Sequence, residues 1–205
     1  MRDLDEALAD ITAIRSQMAR GTEFHGYGPM TVAATGMLAV LAAGIQALLL
    51  PDPTADVLTY LVLWVVTAAI SVIMIGVEMV ARTQRIHSGL ADEMIHSAAE
   101  QFIPAGVAGA LMSFVLFRFA PQSLWMLPGL WQIMFSLGIF AACHSLPTPM
   151  RAGGAWYLVA GLASLALASE ERALSPWAMA LPFGIGQFLI ATMLYCCVGK
   201  SDADG

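Results

Sequence analysis

Six long apolar runs, at 30–50, 57–80, 102–119, 123–143, 153–168 and 177–198, leave this chain few ways to fold. The hydrocarbon core of a bilayer is roughly 30 Å thick, and a helix of about 20 apolar residues crosses it. Runs of this length with no polar alternation cannot be exposed strands. In lipid every backbone amide needs an internal partner, which helices supply. With 59% hydrophobic and 12% charged residues, the chain carries more apolar surface than a water-soluble domain of its size can enclose. The predicted fold class is an all-α integral membrane protein. Its predicted divisions are a cytoplasmic amphipathic helix and Gly-rich link over 1–29, a six-helix transmembrane bundle over 30–198, and a cytoplasmic tail over 199–205.

Punctuation arranges the six spans as three hairpins. Pro51 and Pro53, then Pro121, then the stretch from Ser169 to Pro176 make short connections on one side, and the longer, more polar segments fall on the other. Basic residues set the orientation. Arg2, Arg15, Arg20, Arg82, Arg85, Arg151 and Lys200 share the side of the amino terminus, against Arg118 and Arg172 opposite, so both termini are predicted to face the cytoplasm of a bacterial-type inner membrane. Trp125 and Trp177 at the outer end, and Trp156 with Tyr157 at the inner end, are expected to sit as interfacial anchors. The first apolar run follows an acidic stretch rather than a basic one, so the first helix is expected to stay in the mature protein.

The fourth and sixth spans carry Leu127-Pro128 and Leu181-Pro182 at an offset of 54 residues, an interval that also relates Arg118 to Arg172 and Cys143 to Cys197. Duplication and convergent packing both account for this, and both predict kinks at Pro128 and Pro182. Gly106 with Gly109, and Gly184 with Gly186, read as places where helices pack closely.

Two segments outside the spans carry surface. Leu4, Leu8, Ile11, Ile14 and Met18 recur at spacings of three and four, which predicts an amphipathic helix. Its other face is mostly acidic and repels an anionic leaflet, so the expected occupant of its apolar face is protein: the 81–101 segment, a second copy, or another subunit. From Glu78 to Gln101 the second helix is expected to run beyond the membrane, with Glu78 placed to pair with Arg82. Gly89 is expected to interrupt that segment. Glu93, His96 and Glu100 then share one stripe, and Glu93-x-x-His96 has the spacing of di-iron bundles, which require two such motifs where this chain has one.

The candidate metal ligands are His87, His96 and His144 with Glu93, all on the predicted cytoplasmic side. Imidazole and carboxylate groups there could hold a metal, or histidines on two helices a haem; ordinary interfacial histidines are the competing reading. Within the spans the polar candidates for a pathway are Gln46, Gln132 and Gln187 with Thr67, Ser71, Ser136 and Thr192, whose simpler reading is hydrogen bonding between helices. Lys200, the only lysine, lies in the tail, which rules out a retinal-type Schiff base in the spans. Cys143 and His144 are adjacent and so project from different faces of a helix. With no basic cluster and a net charge of −6, nucleic acid is excluded as a partner. Three classes of function remain: first, a non-enzymatic membrane subunit, sensor or regulator engaging a protein partner through its cytoplasmic face; second, a transporter or channel for a small neutral solute; third, a metal- or haem-dependent membrane oxidoreductase.

Overall fold

A computed structural model describes residues 28–86, 90–142, 150–167 and 173–201, and of these the side chains of 82–86, 90–99, 101 and 197–201 are left undescribed. The chain forms α1 (Pro29–Leu49), α2 (Val57–Ile86), α3 (Leu90–Phe119), a 3-10 segment (Pro121–Met126), α4 (Leu127–Ala142), α5 (Met150–Leu167) and α6 (Pro176–Ser201). The expected all-helical class holds: six helices are long and apolar enough to cross a membrane, and no strand occurs among the described residues. The 4–18 segment lies outside those residues.

Neighbouring helices are arranged around the bundle in the order α2, α1, α6, α5, α4, α3, and the two ends of that series, α2 and α3, scarcely touch. Two buried cores hold the arrangement. One, near the 49–57 connection, gathers Ala39, Ala42, Ala43, Tyr60, Trp64, Leu174, Met179 and Ala180. The other, at the amino-terminal end of α1, gathers Val32, Ile139, Met150, Tyr157, Ile190 and Leu194.

Local chemistry starts and ends these helices. Asp56 caps α2, accepting the Thr59 N–H at 3.1 Å and the Thr59 hydroxyl at 2.6 Å. Just before it, Asp52 accepts the Thr54 hydroxyl and the amides of Thr54 and Ala55, closing the turn. The side-chain bond from Thr54 holds Asp52, and that from Thr59 holds Asp56, below the usual carboxylate range. At the start of α1, Pro29 takes the first helical position behind Gly28. The Glu78 carboxylate fills the space where a Cβ on Gly28 would stand, which sets a negative group of α2 at the positive end of α1. Its predicted partner Arg82 has a side chain outside the description.

Of the two prolines expected to kink their spans, Pro128 differs from expectation in an instructive way. Pro128 causes no kink within a continuous α-helix: it is the second residue of α4, and the turn before it is 3-10. A proline lacks the amide that would bond the carbonyl four residues earlier. For Pro128 that carbonyl is Leu124, and the 3-10 turn satisfies it through the Leu127 N–H instead. Pro182 does lie inside α6. Its orphaned carbonyl is Ala178, and the Gln132 side chain of α4 donates to it at 2.9 Å. The carbonyl of Pro182 itself accepts Trp156 Nε1 from α5 at 2.9 Å. Side chains from two neighbouring helices therefore bolt the proline segment in place. This also corrects the reading of Trp156 and Tyr157 as interfacial anchors, because Trp156 reaches into α6 and Tyr157 is fully buried.

Close packing falls at several glycines that spacing does not mark, as well as at one of the two pairs that it does. A Cβ on Gly129 would stand 2.8 Å from the Gly161 carbonyl oxygen, and one on Gly161 would stand 2.8 Å from that of Gly129, so α4 and α5 meet backbone to backbone. On α1, a Cβ at Gly36 would stand 2.9 Å from the Gln187 Cβ, which lets α1 lie against α6. Gly184 and Gly186 are packed against Val40 and against Trp156 with Tyr157, as their spacing suggested. Gly106 meets nothing within 4 Å and Gly109 only Trp131, at 3.9 Å. On α3 small residues leave space rather than close it.

Candidate functional site: a mid-bundle cavity

That space is a cavity of about 490 Å³ between the two cores, with walls from α1, α2, α3, α4 and α6. Its floor is buried: Thr35 is 3%, Ala39 6%, Met179 4% and Gln187 8% exposed. Its mouth lies on α2 and α3, where Val65 and Val72 are 55% and 70% exposed and Gly106 and Ala110 are open. Because α2 and α3 scarcely touch, the cavity opens sideways between them, toward the bundle's apolar exterior. Aromatic rings bracket it. Toward the 49–57 connection, Tyr60 is tilted on Trp64 and stacked on Trp131 at 6.4 Å between ring centres. Toward the other end, Phe135 contacts Phe102, Phe183 and Tyr157 with centres 5.6, 5.6 and 4.7 Å apart. A volume in the few-hundred Å³ range, mostly apolar with a few fixed polar groups, is the usual make-up of a small-molecule site.

The three glutamines divide into two kinds. Gln46 donates from Nε2 to the Leu174 carbonyl at 2.7 Å and accepts Trp64 Nε1 on Oε1 at 2.8 Å. Gln132 donates to Ala178 and accepts the Ser164 hydroxyl at 3.4 Å. Both are completely buried struts between helices, and Ser136, which donates to the Gly154 carbonyl at 2.7 Å, is a third. These follow the simpler interhelical reading. Gln187 does not: its amide has no hydrogen-bond partner among the described residues, and the little surface it keeps faces the cavity. No match is found among family models, curated proteins or solved structures.

The remaining polar groups of the wall are committed. Thr35, Thr67 and Ser71 donate to carbonyls of their own helices, at Val32, Leu63 and Thr67, over 2.7 to 2.9 Å. Thr192, outside the wall, does the same to Phe188. For Thr67, Ser71 and Thr192 this replaces the interhelical bonds expected of them. Ser113 donates to Gly109 at 2.7 Å and accepts Trp131 Nε1 at 2.8 Å. Of the candidate metal ligands, His87 and His144 lie outside the described residues, and so do the side chains of Glu93 and His96. Among the described residues no three His, Cys, Asp or Glu side chains come together as a metal site.

Sequence spacing flagged Gln187 among seven polar candidates but had no means of separating it from Gln46 and Gln132. Tyr60 was not flagged at all. It is fully buried and its hydroxyl has no hydrogen-bond partner among the described residues. An unmade buried hydrogen bond is a cost, so Tyr60→Phe is expected to leave stability unchanged or raise it by up to about 1 kcal/mol, while Tyr60→Ala, which removes the stack on Trp131, costs about 3–5 kcal/mol. Thermal unfolding in detergent checks both, and a clear loss in Tyr60→Phe would mean the hydroxyl is satisfied.

Proposed function

We propose that this chain is a multi-pass protein of a bacterial-type inner membrane, with both termini cytoplasmic, whose bundle holds a neutral, mostly apolar molecule taken from the surrounding lipid. The observation that carries this reading is the cavity's mouth between α2 and α3, which opens where a bilayer would lie rather than toward either aqueous end. What the wall offers is recognition: rings, aliphatic side chains, hydroxyls and one amide. Burying apolar ligand surface in such a space contributes little beyond lipid itself, so affinity depends on shape and on the few polar contacts. The amphipathic segment carrying Leu4, Leu8, Ile11, Ile14 and Met18 is the surface we assign to a protein partner, which makes the bundle the sensing half of a membrane regulator.

Filling the cavity tests the reading. Gly106→Leu with Gly109→Leu projects two side chains into the open space without meeting backbone. Solvent extraction and mass spectrometry of the purified protein are expected to find a neutral lipid-soluble compound enriched in the parent chain and depleted in the filled variant. Equal content in the two would remove the cavity from consideration. The orientation is tested separately. The basic-residue bias leads us to expect that reporters fused after Gly205 and after Pro53 label opposite sides, with the first cytoplasmic; a periplasmic tail would reverse the assignment.

A further inference from the structure

We infer that Gln187 reads the ligand, and that the ligand is an uncharged molecule with a hydrocarbon body and one acceptor oxygen, a carbonyl or a hydroxyl. This rests on the reading of the cavity as a binding site. Among the described residues seven polar side chains line the space: Thr35, Trp64, Thr67, Ser71, Ser113, Trp131 and Gln187. The donors of the first six are spent on protein acceptors. The four hydroxyls donate to helix carbonyls, Trp64 Nε1 goes to Gln46 Oε1, and Trp131 Nε1 goes to Ser113. The Gln187 amide carries the uncommitted N–H groups of the wall, two donors beside one acceptor.

Gln187 is only 8% exposed, and an amide on a side chain this far buried is costly to leave unpaired. Gln187 is also held in place. The Gly36 position on α1 leaves no room for a Cβ against the Gln187 Cβ, so the backbone of α6 is fixed at that level and the amide is presented to the cavity by a rigid element. A ligand oxygen that accepts from it completes the polar group that the described wall leaves open. A hydroxyl can in addition donate to Gln187 Oε1 or to the lone pairs of Thr67 and Ser71. The described lining contains no ionisable side chain to balance a charged head group, which selects uncharged molecules. The rest of the ligand lies along the apolar wall and reaches the mouth between α2 and α3.

The test uses the full chain in lipid nanodiscs and two probes of one chain length, 12-bromododecan-1-ol and 1-bromododecane, with bromine quenching of tryptophan fluorescence as the readout; Trp64 and Trp131 line the cavity. Each probe is referred to the cavity-filled Gly106→Leu, Gly109→Leu variant, which corrects for quenching from the surrounding lipid. The expected result is cavity-dependent quenching by both probes, tighter for the alcohol, with Gln187→Met weakening the alcohol by about 5- to 10-fold and leaving the alkane unchanged. Retained quenching by the alkane shows that the substituted bundle is folded, and Gln187→Leu serves if the methionine disturbs the packing at Gly36. If alcohol and alkane bind equally in the parent chain, or Gln187→Met affects them alike, the role of Gln187 is overturned while the cavity remains a binding site. If neither probe quenches beyond the filled variant, the binding-site reading itself fails.

Discussion

Gly161→Ala is expected to destabilise the bundle and Gly106→Ala to stabilise it, although both exchange the same two residues inside a helix. Intrinsic helix preference favours alanine over glycine by about 0.8–1 kcal/mol at either position. The difference lies in what the new methyl meets. At Gly106 nothing stands within 4 Å, so the helix preference acts unopposed. At Gly161 the methyl would stand 2.8 Å from the Gly129 carbonyl oxygen and 3.1 Å from the Ile133 amide nitrogen. A side chain can rotate away, but a backbone cannot, so α4 and α5 must separate. Overpacking costs about 1–3 kcal/mol, which outweighs the helix gain over most of that range, and the net expectation is a loss of up to about 2 kcal/mol. Gly161→Leu is expected to prevent the two helices from assembling. Thermal or denaturant unfolding in matched detergent reads all three, and equal signs for the two alanine variants would contradict the backbone contact.

The second large effect concerns Gln132 and Pro182. Gln132→Leu removes the donor that satisfies Ala178, leaving unpaired a part-buried carbonyl that Pro182 has already deprived of its helical partner. An unsatisfied buried acceptor costs about 1–3 kcal/mol, and leucine recovers little by packing because its volume is close to that of glutamine. Pro182→Ala restores an amide four residues after Ala178 and gives that carbonyl a partner within its own helix. In the Pro182→Ala background Gln132→Leu should therefore cost less than half as much, a coupling of about 1 kcal/mol in a double-mutant cycle. Ser164→Ala is a control, since its 3.4 Å contact to Gln132 is long and weak. Additive losses would mean that Gln132 acts through packing rather than through the proline's orphaned carbonyl.

Both results depend on features that are partly visible in the sequence. The helices are legible because lipid imposes a length and a composition on each span, and α1 to α6 follow those two constraints closely. Pro182 likewise marks Ala178 as a carbonyl in need of a donor, by counting back one turn. Which glutamine supplies it depends on α4 lying beside α6 at that depth, and nothing local to Gln132 distinguishes it from Gln46 or Gln187. The glycines show the same limit. Gly106 and Gly109 share the small-residue spacing of a tight interface and instead line a cavity, because a small residue can either admit a neighbour or leave room. Gly129 and Gly161, far apart in the chain and in no shared motif, form the tightest crossing. Pro128 escaped a kink because the 3-10 turn before it re-paired Leu124, a choice between two helix types that the periodicity of an apolar run does not encode.

The most direct measurement of the central claim is photolabelling in nanodiscs with a fatty alcohol that carries a diazirine on its chain, followed by mapping of the labelled positions by mass spectrometry. If the cavity takes neutral amphiphiles from the bilayer, labels should concentrate on its wall, at Thr67, Ser71, Gly109, Ser113 and Gln187, and should fall away on competition with unlabelled alcohol or on filling with Gly106→Leu and Gly109→Leu. Labels confined to outward residues such as Val62, Ile73 and Phe114, insensitive to competition and to filling, would show that lipid touches this bundle only from outside and would contradict the account.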